Sequence, residues 1–83
     1  MKLVWDERRR AANLVKHGMD FADLDEAFFA AATIIPVRAP RLIAIGVHTS
    51  GIEIVIFTRL GSEGFSIISM RSANRKERQL IDG

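Results

Sequence analysis

The 83-residue sequence contains no cysteine, which excludes disulfide bonds and thiolate metal sites as supports for the fold. No stretch approaches the roughly 20 consecutive apolar residues that a transmembrane helix needs. The opening residues lack the basic start and long apolar segment of a signal peptide, so we expect a cytoplasmic protein without membrane contact. A chain of this length builds one hydrophobic core, and we predict a single domain over residues 1–83.

The motifs of several common enzyme classes are also missing. The sequence has no glycine-rich dinucleotide motif, no P-loop and no GxSxG motif. Its two histidines, His17 and His48, are far apart, and neither belongs to a spacing that is typical of zinc sites. We therefore expect neither a metal ion nor an organic cofactor.

Positive and negative charges nearly balance, but they are unevenly distributed. Twelve lysines and arginines stand against ten acidic residues, for a net charge of +2. Acidic residues concentrate at positions 20–26, whereas basic residues concentrate at positions 8–10 and 71–78. Separate basic and acidic regions suit a protein that meets phosphate on one side, although ordinary solvated helix faces give the same pattern.

Capping residues and apolar spacing predict helices in the first half of the chain. After a short strand at Leu3–Trp5, Asp6 is the predicted N-cap of a first helix, and Gly18 follows its last residue. Asp20 is predicted to cap a second helix. The apolar stripe of that helix has three members at helical spacing: Phe21, Leu24 and Phe28.

The second half of the chain has the composition of strands. We predict strands at residues 33–35, 41–48, 52–59 and 65–70, with turns at 49–51 and 61–64. Ser72 is the predicted N-cap of a closing helix from Ala73 to about Ile81. Because the strands are apolar at nearly every position, we expect helices on both faces of the sheet. The predicted fold is α+β, in the order β-α-α-β-β-β-β-α, with a largely antiparallel sheet.

Two groups of residues have the chemistry of a functional site. Asn13, Lys16 and His17 share one helix face, and a histidine beside a lysine can exchange a proton near neutral pH. An exposed helix end is the alternative interpretation of this group.

The second group consists of arginines at the edges of predicted strands: Arg41, Arg59 and Arg71. Arginines in such positions can converge and bind a phosphate through paired N–H donors. Three unconnected surface side chains are the alternative here.

Several segments resemble the BrnT family of toxins. Residues 4–7 (Val-Trp-Asp-Glu) and 13–21 (Asn-Leu-Val-Lys-His-Gly-Met-Asp-Phe) resemble the start of that family. Residues 41–46 are similar to its central strand, and residues 67–73 with 77–78 to its closing motif. The resemblance covers essentially the whole chain.

The resemblance implies a compact RelE-like domain that acts as a type II toxin and cleaves RNA without a metal. In such cleavage the ribose 2′-OH attacks the neighbouring phosphate, which requires proton transfer and cations for the developing charge. The resemblance makes Lys16 and His17 the acid/base candidates, without assigning which is which, and Arg41 and Arg71 the charge stabilisers. Four further basic residues are expected to contact RNA: Arg59, Arg75, Lys76 and Arg78.

The implied partner is a BrnA-like ribbon-helix-helix antitoxin, and the toxin would reach operator DNA only through it. The sequence departs from the family at residues 37–40, a short loop without the acidic pair that usually precedes the arginine. Arg59 stands one position before the usual arginine, with Leu60 in its place, and Ser66 replaces another arginine. These departures leave an alternative, a catalytically weakened relative that serves as a protein- or nucleic-acid-binding module.

Overall fold

Five strands and three helices form the part of the chain that the structure, a computed structural model, describes: residues 1–49 and 51–82. In chain order the elements are β1 (Lys2–Trp5), α1 (Glu7–His17), a 3₁₀ turn (Phe21–Asp23), α2 (Glu26–Ala31), β2 (Thr33–Pro36), β3 (Leu42–His48), β4 (Gly51–Leu60), β5 (Gly64–Ser72) and α3 (Arg75–Asp82). The α+β class and the order of helices and strands are as predicted. None of the described helices has the length and apolar character to cross a membrane.

The ends of α1 are formed by the residues that the sequence indicated. The Asp6 carboxylate accepts the backbone N–H groups of Arg8 and Arg9 at 2.7 and 3.4 Å. Gly18 ends the helix with φ at +70°, a left-handed conformation that glycine adopts without steric cost.

The prediction of one continuous second helix is wrong. Asp20 caps only the 3₁₀ turn, and the chain becomes extended at Leu24 before Asp25 starts α2. The Asp25 carboxylate accepts the N–H of Phe28 at 2.9 Å, so a second cap restarts the helix. Phe21, Leu24 and Phe28 are all buried nonetheless, because the break changes the path of the chain and not the burial of these side chains.

The closing helix begins at Arg75 and not at Ala73, and Ser72 is the last residue of β5, not an N-cap. Asn74 and Glu77 form a capping box instead. The Asn74 side-chain oxygen accepts the Glu77 N–H at 2.8 Å, and the Glu77 carboxylate accepts the Asn74 N–H at 2.9 Å. This reciprocal pair satisfies two backbone donors that a helix start leaves without partners.

The strands form one sheet in the order β1-β5-β4-β3-β2. The pairs β2–β3, β3–β4 and β4–β5 are antiparallel, whereas β1 pairs with β5 in parallel. The prediction of a largely antiparallel sheet is confirmed. The predicted turn at residues 49–51 includes position 50, which lies outside the described residues, and Gly51 already belongs to β4.

Side chains alternate between the two faces of the sheet. One face packs against α2 and the 3₁₀ turn, and its core has nine buried members: Phe21, Leu24, Phe28, Phe29, Ala44, Val55, Phe57, Ile67 and Met70. On the opposite face, Ile45 and Ile54 are only 1% and 0% exposed, and α3 contacts β3 there. Helices therefore cover both faces, as the apolar strands predict.

A β-bulge in β5 interrupts the alternation. Ile67 pairs with Phe57 in the core, whereas Ser69 pairs with Ile56 on the opposite face. Ile68 is the extra residue between these two pairs.

The bulge reverses the direction of the side chains that follow it. Met70 pairs with Val55 and is buried in the core, and Arg71 pairs with Ile54 on the opposite face. Without the extra residue, the period of two would place Arg71 on the same face as Ile67.

Asn13 connects α1 to the edge of β5. Its side-chain amide is buried, donating to the carbonyl oxygen of Met19 and accepting the N–H of Met70, both at 3.0 Å. The paired residues of β1 reach only as far as Ile67 along β5. The Asn13 oxygen thus supplies a hydrogen-bond acceptor beyond the point where β1 ends.

Replacing Asn13 with alanine should destabilise the fold, because the buried N–H of Met70 would lose its acceptor. We expect Asn13→Ala to lower the free energy of unfolding by about 1–3 kcal/mol, measured by urea denaturation. Val15→Ala is the control on the same helix, since Val15 is 89% exposed and its change should stay within about 0.5 kcal/mol. Equal losses in both variants would contradict this role of Asn13.

Candidate functional site

A cavity of about 530 Å³ opens between the loop at residues 37–41 and α3. Its lining residues are Val37, Arg38, Ala39, Pro40, Arg41, Ile43, Ile56, Arg71 and Glu77, and we call it the arginine cleft. Ile43 and Ile56 form its floor on the sheet face opposite the phenylalanine core. Three arginines and one glutamate give the lining a net formal charge of +2.

Two of the cleft arginines lie on a tight loop between β2 and β3. The backbone N–H of Arg41 donates to the carbonyl oxygen of Arg38 at 2.8 Å, and the backbone N–H of Val37 donates to the carbonyl oxygen of Arg41 at 3.3 Å. Both arginines are exposed, and within residues 1–49 and 51–82 neither has an ion-pair partner. Their charges are therefore open to an anion in the cleft.

The third cleft arginine is engaged by a carboxylate. Arg71 donates through Nη1 and Nη2 to the two carboxylate oxygens of Glu77 at 2.7 and 2.8 Å. This bidentate pair raises the pKa of Arg71 and lowers the pKa of Glu77 below its ordinary value, with the N–H of Asn74 adding to the second effect. The side chains of Arg71 and Glu77 are 34% and 16% exposed, so solvent still reaches the pair.

Lys16 and His17 line a different cavity from Arg41 and Arg71. This α1 pocket, of about 210 Å³, has seven lining residues: Arg9, Ala12, Asn13, Lys16, His17, Ile68 and Ser69. The two cavities lie over adjacent strands, because Ser69 of the α1 pocket pairs with Ile56 of the arginine cleft.

Arg59 lies on the other side of the loop at residues 37–41. It lines a cavity of about 290 Å³ together with Arg41, Pro36, Ala39, Pro40 and Leu42. Its guanidinium carbon is 6.0 Å from the ring centroid of Phe65, within cation–π distance. Arg41 thus lines one cavity with Arg71 and another with Arg59, whereas Arg59 is absent from the lining of the arginine cleft and Arg71 from that of the second cavity.

The other predicted RNA contacts are on α3. Arg75, Lys76 and Arg78 are exposed, and none of them lines the arginine cleft. Only Glu77 projects into the cleft from this part of the helix.

Two cleft residues, Arg38 and Glu77, were missed by the sequence analysis. The capping-box spacing of Asn74 and Glu77 is a readable signal for the start of α3. The contact between Glu77 and Arg71 has no such signal, because it depends on the bulge that turns Arg71 toward α3.

The second histidine lies near the 3₁₀ turn. His48 donates through Nε2 to the carbonyl oxygen of Asp23 at 3.1 Å, and its Nδ1 is 3.6 Å from the Glu53 carboxylate. Across residues 1–49 and 51–82, no three histidine, aspartate or glutamate side chains gather closely enough to hold a metal ion.

Comparison with known proteins finds one family. A family model described as "Ribonuclease toxin, BrnT, of type II toxin-antitoxin system" matches residues 5–77. The chain is also similar to the crystal structure of the Brucella abortus ribonuclease toxin BrnT, with 51% sequence identity and a TM-score of 0.84. That similarity covers 90% of this chain and 99% of the Brucella chain. No curated protein matches the chain.

The Arg71–Glu77 pair should make the free energy of unfolding depend on pH in the acidic range. Because the pKa of Glu77 is lowered in the folded state, the pair stabilises the fold fully at any pH above the ordinary glutamate pKa of the unfolded chain. That stabilisation is lost as the pH falls through the lower folded-state pKa. Urea denaturation at several pH values should show Glu77→Gln to be less stable than the wild type at pH 7 and to lose less stability below about pH 5.

Part of the acid dependence will remain in this variant, since the pKa of Asp20 is also lowered, chiefly by the N–H of Ala22. The control is Glu63→Gln, because Glu63 is exposed and has no side-chain ion pair within the described residues. A decline for Glu77→Gln that runs parallel to the wild type would show that the pair contributes nothing to the acid dependence.

Proposed function

The chain belongs to the BrnT family of ribonuclease toxins of type II toxin–antitoxin systems, and from this premise we propose that it cleaves RNA without a metal ion. The observation that carries the proposal is the arginine cleft, where Arg38 and Arg41 present open guanidinium groups beside Arg71. A guanidinium group binds phosphate through two parallel N–H donors, which makes the cleft suitable for an RNA backbone.

In the proposed reaction the ribose 2′-oxygen forms a bond to the adjacent phosphorus, and the bond to the 5′-oxygen of the next nucleotide breaks. The products are a 2′,3′-cyclic phosphate and a free 5′-hydroxyl group. Negative charge grows on the phosphorane between these two events. Arg41 and Arg71 stabilise that charge, and Arg38 holds the phosphate from the loop side.

Lys16 and His17 are the proposed acid/base pair: one takes the proton of the attacking 2′-OH, and the other gives a proton to the departing 5′-oxygen. A side chain that transfers a proton must come within hydrogen-bond distance of the reacting oxygen. Because these residues line the α1 pocket, the scissile nucleotide must lie over the paired residues Ile56 and Ser69, between the two cavities.

Four more basic residues are proposed to hold the rest of the RNA strand: Arg59, Arg75, Lys76 and Arg78. Arg59 is supported by its place in the cavity that it shares with Arg41, and the other three by their exposure on α3. Contacts of this kind make RNA binding weaken as salt concentration rises.

The proposed partner is a BrnA-like ribbon-helix-helix antitoxin that keeps the protein inactive in the cytoplasm. Any contact with operator DNA would be made by the antitoxin. The support is membership of a type II toxin–antitoxin family, which implies a neutralising protein.

A second candidate function, a binding module with weakened catalysis, is favoured by the carboxylate of the cleft. The loop at residues 37–40 contains no acidic residue, and Glu77 is the one carboxylate among the described cleft residues. Its lowered pKa makes it a poor proton acceptor, since general bases work best with a pKa near the working pH.

Inducible expression in a bacterial host distinguishes the two functions. We expect the wild type to arrest growth and degrade total RNA, and co-expression of a cognate BrnA-like antitoxin to relieve both effects. Substituting alanine for Arg41, Arg71, Lys16 or His17 should remove the growth arrest, since loss of one charge-stabilising donor or of one proton-transfer group slows such reactions by at least about 10²-fold.

Arg8→Ala is the matched control, because Arg8 is exposed and lines none of the three cavities described above. A substitution that leaves growth arrest intact removes that residue from the proposed site. Normal growth and intact RNA with abundant, folded wild-type protein would establish the binding module instead.

A further inference from the structure

Glu77 makes two sets of contacts at once. Both of its carboxylate oxygens accept from Arg71, and one of them also accepts the backbone N–H of Asn74. The first set lies in the arginine cleft, and the second holds the first turn of α3.

We infer that the Glu77 carboxylate occupies the two N–H donors of Arg71 that would otherwise bind phosphate, and that it must leave them before an RNA phosphate binds there. The inference rests on the proposed function in one respect, the identity of the competing anion as an RNA phosphate. It adds a residue that controls how much positive charge the cleft offers.

The geometry of the pair supports this competition. A carboxylate that accepts from Nη1 and Nη2 together uses the same pair of donors that a bidentate phosphate would use. Arg38 and Arg41 have no such occupant in the described residues. The cleft therefore contains two arginines whose guanidinium groups are available to an anion and one, Arg71, whose guanidinium group is already bound by a carboxylate.

Partial exposure makes the exchange feasible. Arg71 is 34% exposed and Glu77 is 16% exposed, so a phosphate can approach the pair from solvent. A fully buried ion pair would resist exchange, because each separated charge would remain without water.

The capping box connects this exchange to α3. When the Glu77 carboxylate moves away from Arg71, its hydrogen bond from the Asn74 N–H breaks if the first turn of α3 moves far enough. Any energetic connection of this kind is reciprocal: what loosens the start of α3 favours phosphate on Arg71, and a bound phosphate loosens the start of α3.

Glu77 acts on Arg71 and not as the proton acceptor of the reaction. Three hydrogen bonds to its carboxylate favour the charged form and lower its pKa. A group in that state holds a cation well and accepts a proton poorly.

The test measures binding of a fluorescein-labelled 2′-O-methyl oligoribonucleotide, which lacks the attacking 2′-OH, by fluorescence anisotropy at several salt concentrations. We expect Glu77→Gln to bind about five- to tenfold more tightly at low salt, as one charge-assisted contact is gained. Its plot of log K against log salt should steepen by about 0.7, the value for one further phosphate contact on a single strand.

Two comparisons isolate the cause. Asp23→Asn removes the same charge from an exposed residue of the 3₁₀ turn that does not line the cleft, and it should leave the salt slope unchanged. In an Arg71→Gln background, adding Glu77→Gln should give no gain, because no guanidinium remains to be released.

Asn74→Ala provides a second variant in case Glu77→Gln folds poorly, with folding checked by thermal denaturation. It removes the side-chain cap but keeps both members of the ion pair, and it should tighten binding by a smaller factor. Unchanged or weaker binding by the folded variants, or an equal gain in Asp23→Asn, would overturn the inference.

Cleavage of unmodified RNA is scored separately. Tighter binding by Glu77→Gln with no cleavage by the wild type would contradict the proposed function and leave the inference intact. Cleavage by the wild type with no effect of Glu77→Gln on binding would support the proposed function and contradict the inference.

Discussion

The phenylalanine rings pack against one face of the sheet, and this packing determines which side chains the other face presents. The ring of Phe29 lies 5.3 Å from that of Phe57 and 5.0 Å from that of Phe65, measured between centroids. Once Phe57 is in the core, alternation directs its neighbour Ile56 to the opposite side. On that side the described part of α3, a helix of eight residues, contacts β3, and the area beside the loop at residues 37–41 stays open as the arginine cleft.

The bulge at Ile68 places a charged residue in this opening. It keeps Met70 in the core while turning Arg71 outward, where Glu77 of α3 meets it. The same residue of α3 caps its own helix, so one carboxylate links the helix start to the charge of the cleft. A structural contact of α3 and the inferred control of anion binding thus reside in a single side chain.

Local chemistry made much of this fold predictable. The caps at Asp6 and Gly18 are properties of neighbouring residues, and the sequence indicates them directly. The break between the 3₁₀ turn and α2 was missed because Asp20 and Asp25 are both good caps, and spacing alone does not tell which one starts the longer helix. The cleft was only partly predictable from the sequence. Arg41 and Arg71 line the same cavity because of the strand register, and that register depends on a β-bulge that is not indicated by any residue type in β5. The separation of Lys16 from Arg41 likewise follows from where α1 lies against β5, a tertiary contact made through Asn13.

We propose that the arginine cleft binds the phosphate at which RNA is cut, without a metal ion. The most direct measurement is cleavage of a labelled RNA by the purified protein in EDTA, with wild type and Arg41→Ala compared and product ends identified. We expect strands ending in 2′,3′-cyclic phosphate, formed in EDTA by the wild type and about 10²–10³-fold more slowly by folded Arg41→Ala. Cleavage only when divalent metal is restored, or an equal rate in the two proteins, would contradict the proposal.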